Sequence, residues 1–123
     1  MPKKTAFAAA LLWTFAITVL SLISLNNVTA FQSIASKDKY VHFIFYLVFT
    51  FLWGLTFVCN KYKKGMLLFF AAVAYGGLME IAQGLFTVNR HPDLYDVIAN
   101  SCGAFAGLLA VFYYFNRYKV EAK

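Results

Sequence analysis

Four long apolar runs separated by short polar stretches dominate the pattern of this chain. The runs cover residues 6–25, 40–59, 66–86 and 94–115. Each has about the 20 apolar residues that a helix needs to cross the hydrocarbon core of a bilayer, and long runs in lipid satisfy their backbone as helices. The pattern predicts an all-α integral membrane protein, a single domain over residues 1–123 that forms a bundle of four transmembrane helices with short loops.

The composition agrees with this prediction, since 62% of the residues are hydrophobic and only 13% are charged. Four spans leave no room for a soluble catalytic or nucleic-acid-binding domain. The net charge of +6 is then better explained by lysines that face the cytoplasm and anionic lipid than by nucleic acid. The lipid bilayer is the predicted partner, and we expect no nucleic acid.

Basic residues are distributed unequally between the two sides of the predicted bundle. One side carries eight of them (Lys3, Lys4, Lys61, Lys63, Lys64, Arg117, Lys119 and Lys123), and the other carries Lys37, Lys39 and Arg90. By the positive-inside rule both termini are cytoplasmic. The first run is longer than the roughly 7–15 apolar residues of a signal peptide, so we predict a retained helix.

Four of the five acidic residues and both histidines map to the outer side, together with an arginine, a glutamine and an asparagine. They are Asp38, His42, Glu80, Gln83, Arg90, His91, Asp93, Asp96 and Asn100. Spacings of three and four residues place the members of each helix on one face. Ionisable residues are costly at membrane depth, so they are functional candidates by default. The pattern predicts an outward-facing polar pocket.

Small residues at a spacing of four predict where helices approach closely. Gly103 and Gly107 form a GxxxG pattern on the fourth helix, and the third helix carries Ala72 and Gly76. Small residues at this spacing let helix backbones pack tightly in lipid. We expect the third and fourth helices to pack against each other below the polar residues.

Three motifs together resemble the VanZ-like family. They are Asp38-Lys39-x-x-His42, Glu80-x-x-Gln83 and Arg90…Asp93-x-x-Asp96-x-x-x-Asn100, within a resemblance from about residue 38 to residue 107. The residue before Asp93 departs from the family pattern, being Pro92. The resemblance implies a multi-pass protein of the bacterial cytoplasmic membrane and cell envelope, linked to resistance to teicoplanin-type glycopeptide antibiotics. It implies that these motif residues form the site but supplies no catalytic assignment.

Three functions are compatible with this pocket. The first is binding of an anionic envelope component, such as a lipid-linked cell-wall precursor, through Arg90 and Lys39. The second is a hydrolase or transferase with His42, Glu80 and Asp96 as acid–base candidates; no nucleophile lies beside His42 by sequence, although Ser101 and Thr87 lie at a similar depth. The third is a structural partner of another membrane protein.

Several of these residues also have a purely structural interpretation. Asp38 and Asp93 precede helices at capping positions, and Glu80 could form an ion pair that only locks the helices together. His42, Glu80, Asp96 and Asp38 would suit a divalent metal if they converged. The spacing contains no HExxH or comparable signature, so the sequence predicts no metal and no cofactor.

Overall fold

Four α-helices make up the described part of the protein. The computed structural model describes residues 3–22, 39–57, 61–86 and 94–117. The helices are α1 (Lys3–Leu22), α2 (Lys39–Phe57), α3 (Tyr62–Phe86) and α4 (Leu94–Arg117). All four are long and apolar enough to cross a membrane. The prediction of an all-helical chain with four helices of membrane-spanning character is therefore confirmed.

The helix boundaries differ from the apolar runs at their polar ends. α3 begins at Tyr62 rather than at Met66, and α1 begins at Lys3. The amide of Gly65 donates to the carbonyl of Lys61 at 2.9 Å, so helical bonding extends into the predicted loop. Hydropathy marks only the apolar length of a span, whereas a helix can continue into the interface where lysines reach water.

The outer surface of the bundle is apolar. Large hydrophobic side chains on every helix are exposed, among them Leu12 at 71%, Leu67 at 72% and Tyr113 at 71%. A soluble monomer rarely exposes so much contiguous apolar surface. Such a surface is suited to contact with lipid, because acyl chains are as apolar as these side chains.

α2 is the central helix, and its most extensive contact is with α4. The two glycines of α4 lie against the backbone of α2. A Cβ at Gly107 would lie 2.5 Å from the carbonyl oxygen of Leu47, and one at Gly103 would meet the carbonyl group of Phe43. Because both contacts advance four residues in the same direction, α2 and α4 are parallel. The GxxxG face therefore packs on α2, not on α3 as the sequence analysis expected.

α3 packs against α4 through its own small residues. Ala72 is fully buried in one apolar cluster with Ala104, and a Cβ at Gly76 would lie 3.0 Å from Nδ2 of Asn100. The later residue of α3 faces the earlier residue of α4, so this pair of helices is antiparallel. Ala72 and Gly76 lie on the side of α3 that faces α4, as predicted, but Gly76 faces Asn100 rather than one of the two glycines.

α1 is attached to α2 and α3 by hydrogen bonds between partly buried side chains and, in one case, a backbone carbonyl. Nε1 of Trp13 donates to the carbonyl of Phe45 at 2.8 Å, and Nε1 of Trp53 donates to Oγ1 of Thr14 at 3.0 Å. The hydroxyls of Thr18 and Tyr75 are also hydrogen-bonded to each other. Such bonds across helices stabilise membrane bundles by about 0.6–2 kcal/mol each.

Gly103→Ala should destabilise the protein, because the added Cβ would meet the rigid backbone of Phe43. Overpacking of this kind costs about 1–3 kcal/mol, so we expect a lower unfolding temperature in detergent. The matched control is Gly77→Ala on α3, where an added Cβ has no heavy atom within 4 Å; it should leave the unfolding temperature unchanged or raise it. Equal unfolding temperatures for the two variants would contradict the close α2–α4 contact.

Candidate functional site

Four buried polar residues from three helices form a polar cluster, consisting of His42, Glu80, Asp96 and Asn100. Their exposed fractions are 6%, 3%, 5% and 2% respectively. The cluster lies near the end of the bundle at which α2 and α4 begin and α3 ends, which we call the site end. Glu80 and Asn100 are each about 9 Å inside the end of their helix, at 1.5 Å per residue.

Both ring nitrogens of His42 face polar side chains of α4. Nδ1 lies 3.2 Å from Oδ1 of Asn100, and Nε2 lies 3.7 Å from Oδ2 of Asp96. An amide oxygen can only accept a hydrogen bond, so Nδ1 carries the hydrogen in the first contact. In the neutral ring Nε2 then directs its lone pair toward the carboxylate side of the cluster.

Glu80 completes the cluster from α3. One ligand-type atom each of His42, Glu80 and Asp96 lies within 4.8 Å of the others. An imidazole and two carboxylates at this separation can accept hydrogen bonds from hydroxyl or ammonium groups, exchange protons, or hold a metal ion.

The helix arrangement explains why these side chains meet. Gly103 lies one turn beyond Asn100, and its close approach to α2 brings the start of α4 beside His42. On the other flank Gly76 has no side chain, which leaves room for Asn100, whose Cβ would be 3.3 Å from a Cβ at position 76. The small residues therefore position the polar ones.

Two buried hydroxyl-bearing residues on the same face of α2 as His42 were missed by the sequence analysis. Tyr46 and Thr50 are 2% and 0% exposed, and among the described residues neither hydroxyl has a hydrogen-bond partner. Tyr46 packs against Phe49 and Tyr75, with ring centroids 5.8 and 6.3 Å apart. The sequence did contain a signal for them: His42, Tyr46 and Thr50 follow one another at intervals of four residues, which places all three on one face of α2.

Several of the other predicted site residues cannot be placed by the structure. Asp38, Arg90 and Asp93 lie outside the described residues, as do the side chains of Lys39 and Gln83. The Lys and Arg side chains that are described lie at the opposite end of the bundle: Lys3, Lys4, Lys61, Lys63, Lys64 and Arg117. The structure thus brings together four of the nine predicted ligand-binding residues and leaves the placement of the rest a prediction.

Ser101 and Thr87 are the hydroxyl-bearing residues predicted at a depth similar to that of His42. Oγ of Ser101 donates to the carbonyl of Val97 in its own helix at 2.9 Å. Thr87 lies outside the described residues. The described part of the chain therefore shows Ser101 engaged with its own helix rather than with His42.

The architecture is that of a multi-pass helical membrane protein with a buried polar cluster near one end of an apolar bundle. A model of the VanZ/LLP1 family matches residues 3–116, and the chain belongs to this family. The match covers all four helices, which confirms the resemblance found on the sequence motifs. No curated protein and no solved structure matches the chain.

Asn100→Leu should lower the stability of the protein, because it keeps much of the side-chain volume but removes the oxygen that accepts from His42. A buried donor left without its acceptor costs about 1–3 kcal/mol. The matched control is Ser101→Ala, whose hydroxyl bonds only a carbonyl of its own helix. Thermal unfolding in detergent should show a clearly larger decrease for Asn100→Leu, and an unchanged unfolding temperature would contradict the role of this contact.

Proposed function

We propose that the polar cluster is the floor of a pocket that binds an anionic component of the bacterial envelope, such as a lipid-linked cell-wall precursor. The observation that supports this proposal is the burial of His42, Glu80, Asp96 and Asn100 together near one end of an apolar bundle. Polar and ionisable groups are costly at membrane depth. Apolar residues would pack the helices together without the free-energy cost of desolvating buried charges.

The pocket faces the extracytoplasmic side in this proposal. The described lysines of α1 and α3 lie at the end opposite the polar cluster, and the positive-inside rule assigns that end to the cytoplasm. The site end then meets the outer leaflet of the cytoplasmic membrane, where headgroups of envelope lipids are accessible.

The chemistry of the residues suggests a headgroup that is both anionic and hydroxylated. Arg90 and Lys39 would bind phosphate oxygens, as guanidinium and ammonium groups do. Glu80 and Asp96 would accept hydrogen bonds from sugar hydroxyls. A lipid-linked cell-wall precursor combines both chemistries, and we extend the proposal to the reduced susceptibility to teicoplanin-type glycopeptides that the VanZ-like resemblance implies.

The second candidate is a membrane-embedded hydrolase or transferase that acts on the same precursor. It is supported by the position of His42, which has an amide oxygen at one ring nitrogen and a carboxylate at the other. Such a ring can exchange protons as a general acid or base. Binding is preferred because Ser101 donates within its own helix.

The binding proposal predicts that wild-type protein, released from mild detergent for native mass spectrometry, carries a discrete mass of an anionic envelope lipid. Arg90→Ala should weaken retention of this lipid about tenfold or more, because a charge-assisted contact contributes about 1.5–3 kcal/mol. Glu80→Gln should also weaken it, since the glutamine amide has one oxygen that accepts hydrogen bonds whereas the glutamate carboxylate has two. Teicoplanin susceptibility of cells that carry each variant should change in parallel.

The control is Glu121→Gln, the same chemical change at the carboxylate predicted to lie in the cytoplasmic tail. It should retain the lipid and accumulate in the membrane as the wild type does. A wild-type peak that stays bare after addition of envelope extract would contradict the binding proposal and favour a structural partner protein. Conversion of the added lipid by the wild type but not by Glu80→Gln would favour the enzyme.

A further inference from the structure

We propose that His42, Glu80 and Asp96 bind a divalent metal ion of the zinc class between α2, α3 and α4. The three side chains come from three different helices, and one ligand-type atom of each lies within 4.8 Å of the other two. The proposal reverses the sequence-based expectation of no metal. That expectation relied on the lack of a short ligand motif, and ligands from three helices leave no such motif in the sequence.

The separation of His42 and Asp96 suits two ligands of one ion better than a direct hydrogen bond. With metal–ligand bonds of about 2.0–2.2 Å, two ligands lie about 2.8–3.6 Å apart at octahedral or tetrahedral angles. Nε2 of His42 and Oδ2 of Asp96 are 3.7 Å apart, which is too long for a hydrogen bond. Movements of a few tenths of an ångström would bring this pair to the spacing of two metal ligands.

Asn100 prepares His42 for this role. A metal-binding histidine usually donates its other ring N–H to a carboxylate or carbonyl oxygen, which fixes the tautomer and the ring orientation. Nδ1 of His42 has such a partner in Oδ1 of Asn100 at 3.2 Å. In the neutral ring Nε2 is then the nitrogen without a hydrogen, and it is the nitrogen that faces Asp96.

The donor set indicates the class of metal and leaves a position open. One imidazole nitrogen and two carboxylate oxygens suit zinc and, less well, manganese. Three protein ligands are fewer than a closed structural zinc site has, so a fourth position would remain for water or a ligand oxygen. This assignment rests on the proposed function: we place a phosphate oxygen of the bound headgroup at that position. The metal ion would then lie between the two carboxylates and the anion, which explains why carboxylates occur in an anion-binding pocket.

The test is metal binding by the full chain in mild detergent, purified through a tag without histidine and stripped with a chelator. Titration with Zn²⁺ followed by calorimetry should give one ion per chain. His42→Ala and Asp96→Asn should each lose this binding, and Asn100→Leu should weaken it about 10–100-fold, as removal of an orienting partner does. Glu121→Gln should bind Zn²⁺ as tightly as the wild type.

A ligand exchange keeps the test informative where a variant is less stable. Asp96→Cys loaded with Co²⁺ should show a thiolate-to-cobalt charge-transfer band, because a thiolate at this position would bind the ion directly. The wild type, which carries the exposed native Cys102 on the same helix, should show no such band. An absent band in Asp96→Cys would overturn the assignment of Asp96 as a ligand.

The outcomes separate the metal site from the proposed function. A folded wild type that binds no Zn²⁺, or His42→Ala and Asp96→Asn variants that both still bind one ion per chain, would overturn the metal site. If such a wild type still carries an anionic lipid, the proposed function survives without the metal. If Zn²⁺ binds as described while no envelope lipid is retained, the metal site stands and the proposed function fails.

Discussion

The close parallel contact between α2 and α4 is the constraint on which the site depends. Gly107 faces a backbone carbonyl of α2 without a side chain between them, and Gly103 does so one turn nearer the site end. In lipid, helix association relies on such packing because burial of apolar surface gives little driving force. If the two helices separated, His42 would lose its contacts with Asn100 and Asp96 together.

The protein thus uses two kinds of interaction at different depths. Small residues and aromatic rings fill the middle of the bundle, where Phe49 and Tyr75 stack with their centroids 5.4 Å apart. Near the site end the contacts among α2, α3 and α4 become polar. Buried polar groups are expensive unless they are satisfied, so the three-helix cluster requires the precise helix positions that the packing below it provides.

The sequence predicted the fold more completely than the site. Apolar run length identifies a membrane-spanning helix reliably, but not the interfacial turns, which is why α3 begins four residues before its predicted start. The GxxxG pattern identified a close-packing face without specifying its partner, since any neighbouring helix can use such a face. Helical spacing placed His42, Glu80, Asp96 and Asn100 at one depth, whereas their pairwise contacts depend on helix rotation. Tyr46 was overlooked because a tyrosine within a run rich in phenylalanine cannot be distinguished by sequence from an aromatic side chain that faces lipid.

The parallel arrangement of α2 and α4 has an electrostatic consequence. Each helix start carries roughly +0.5 of an elementary charge from its aligned peptide dipoles, and each helix end carries the opposite charge. The starts of α2 and α4 lie side by side at the site end, with Asp96 in the first turn of α4, whereas α3 ends there. The helix dipoles across this end are therefore uneven: they contribute positive potential at the starts of α2 and α4, which the carboxylate of Asp96 offsets at α4, and negative potential at the end of α3. For the anion binding proposed above, the order of the helices would make the α2 side the more favourable side of entry.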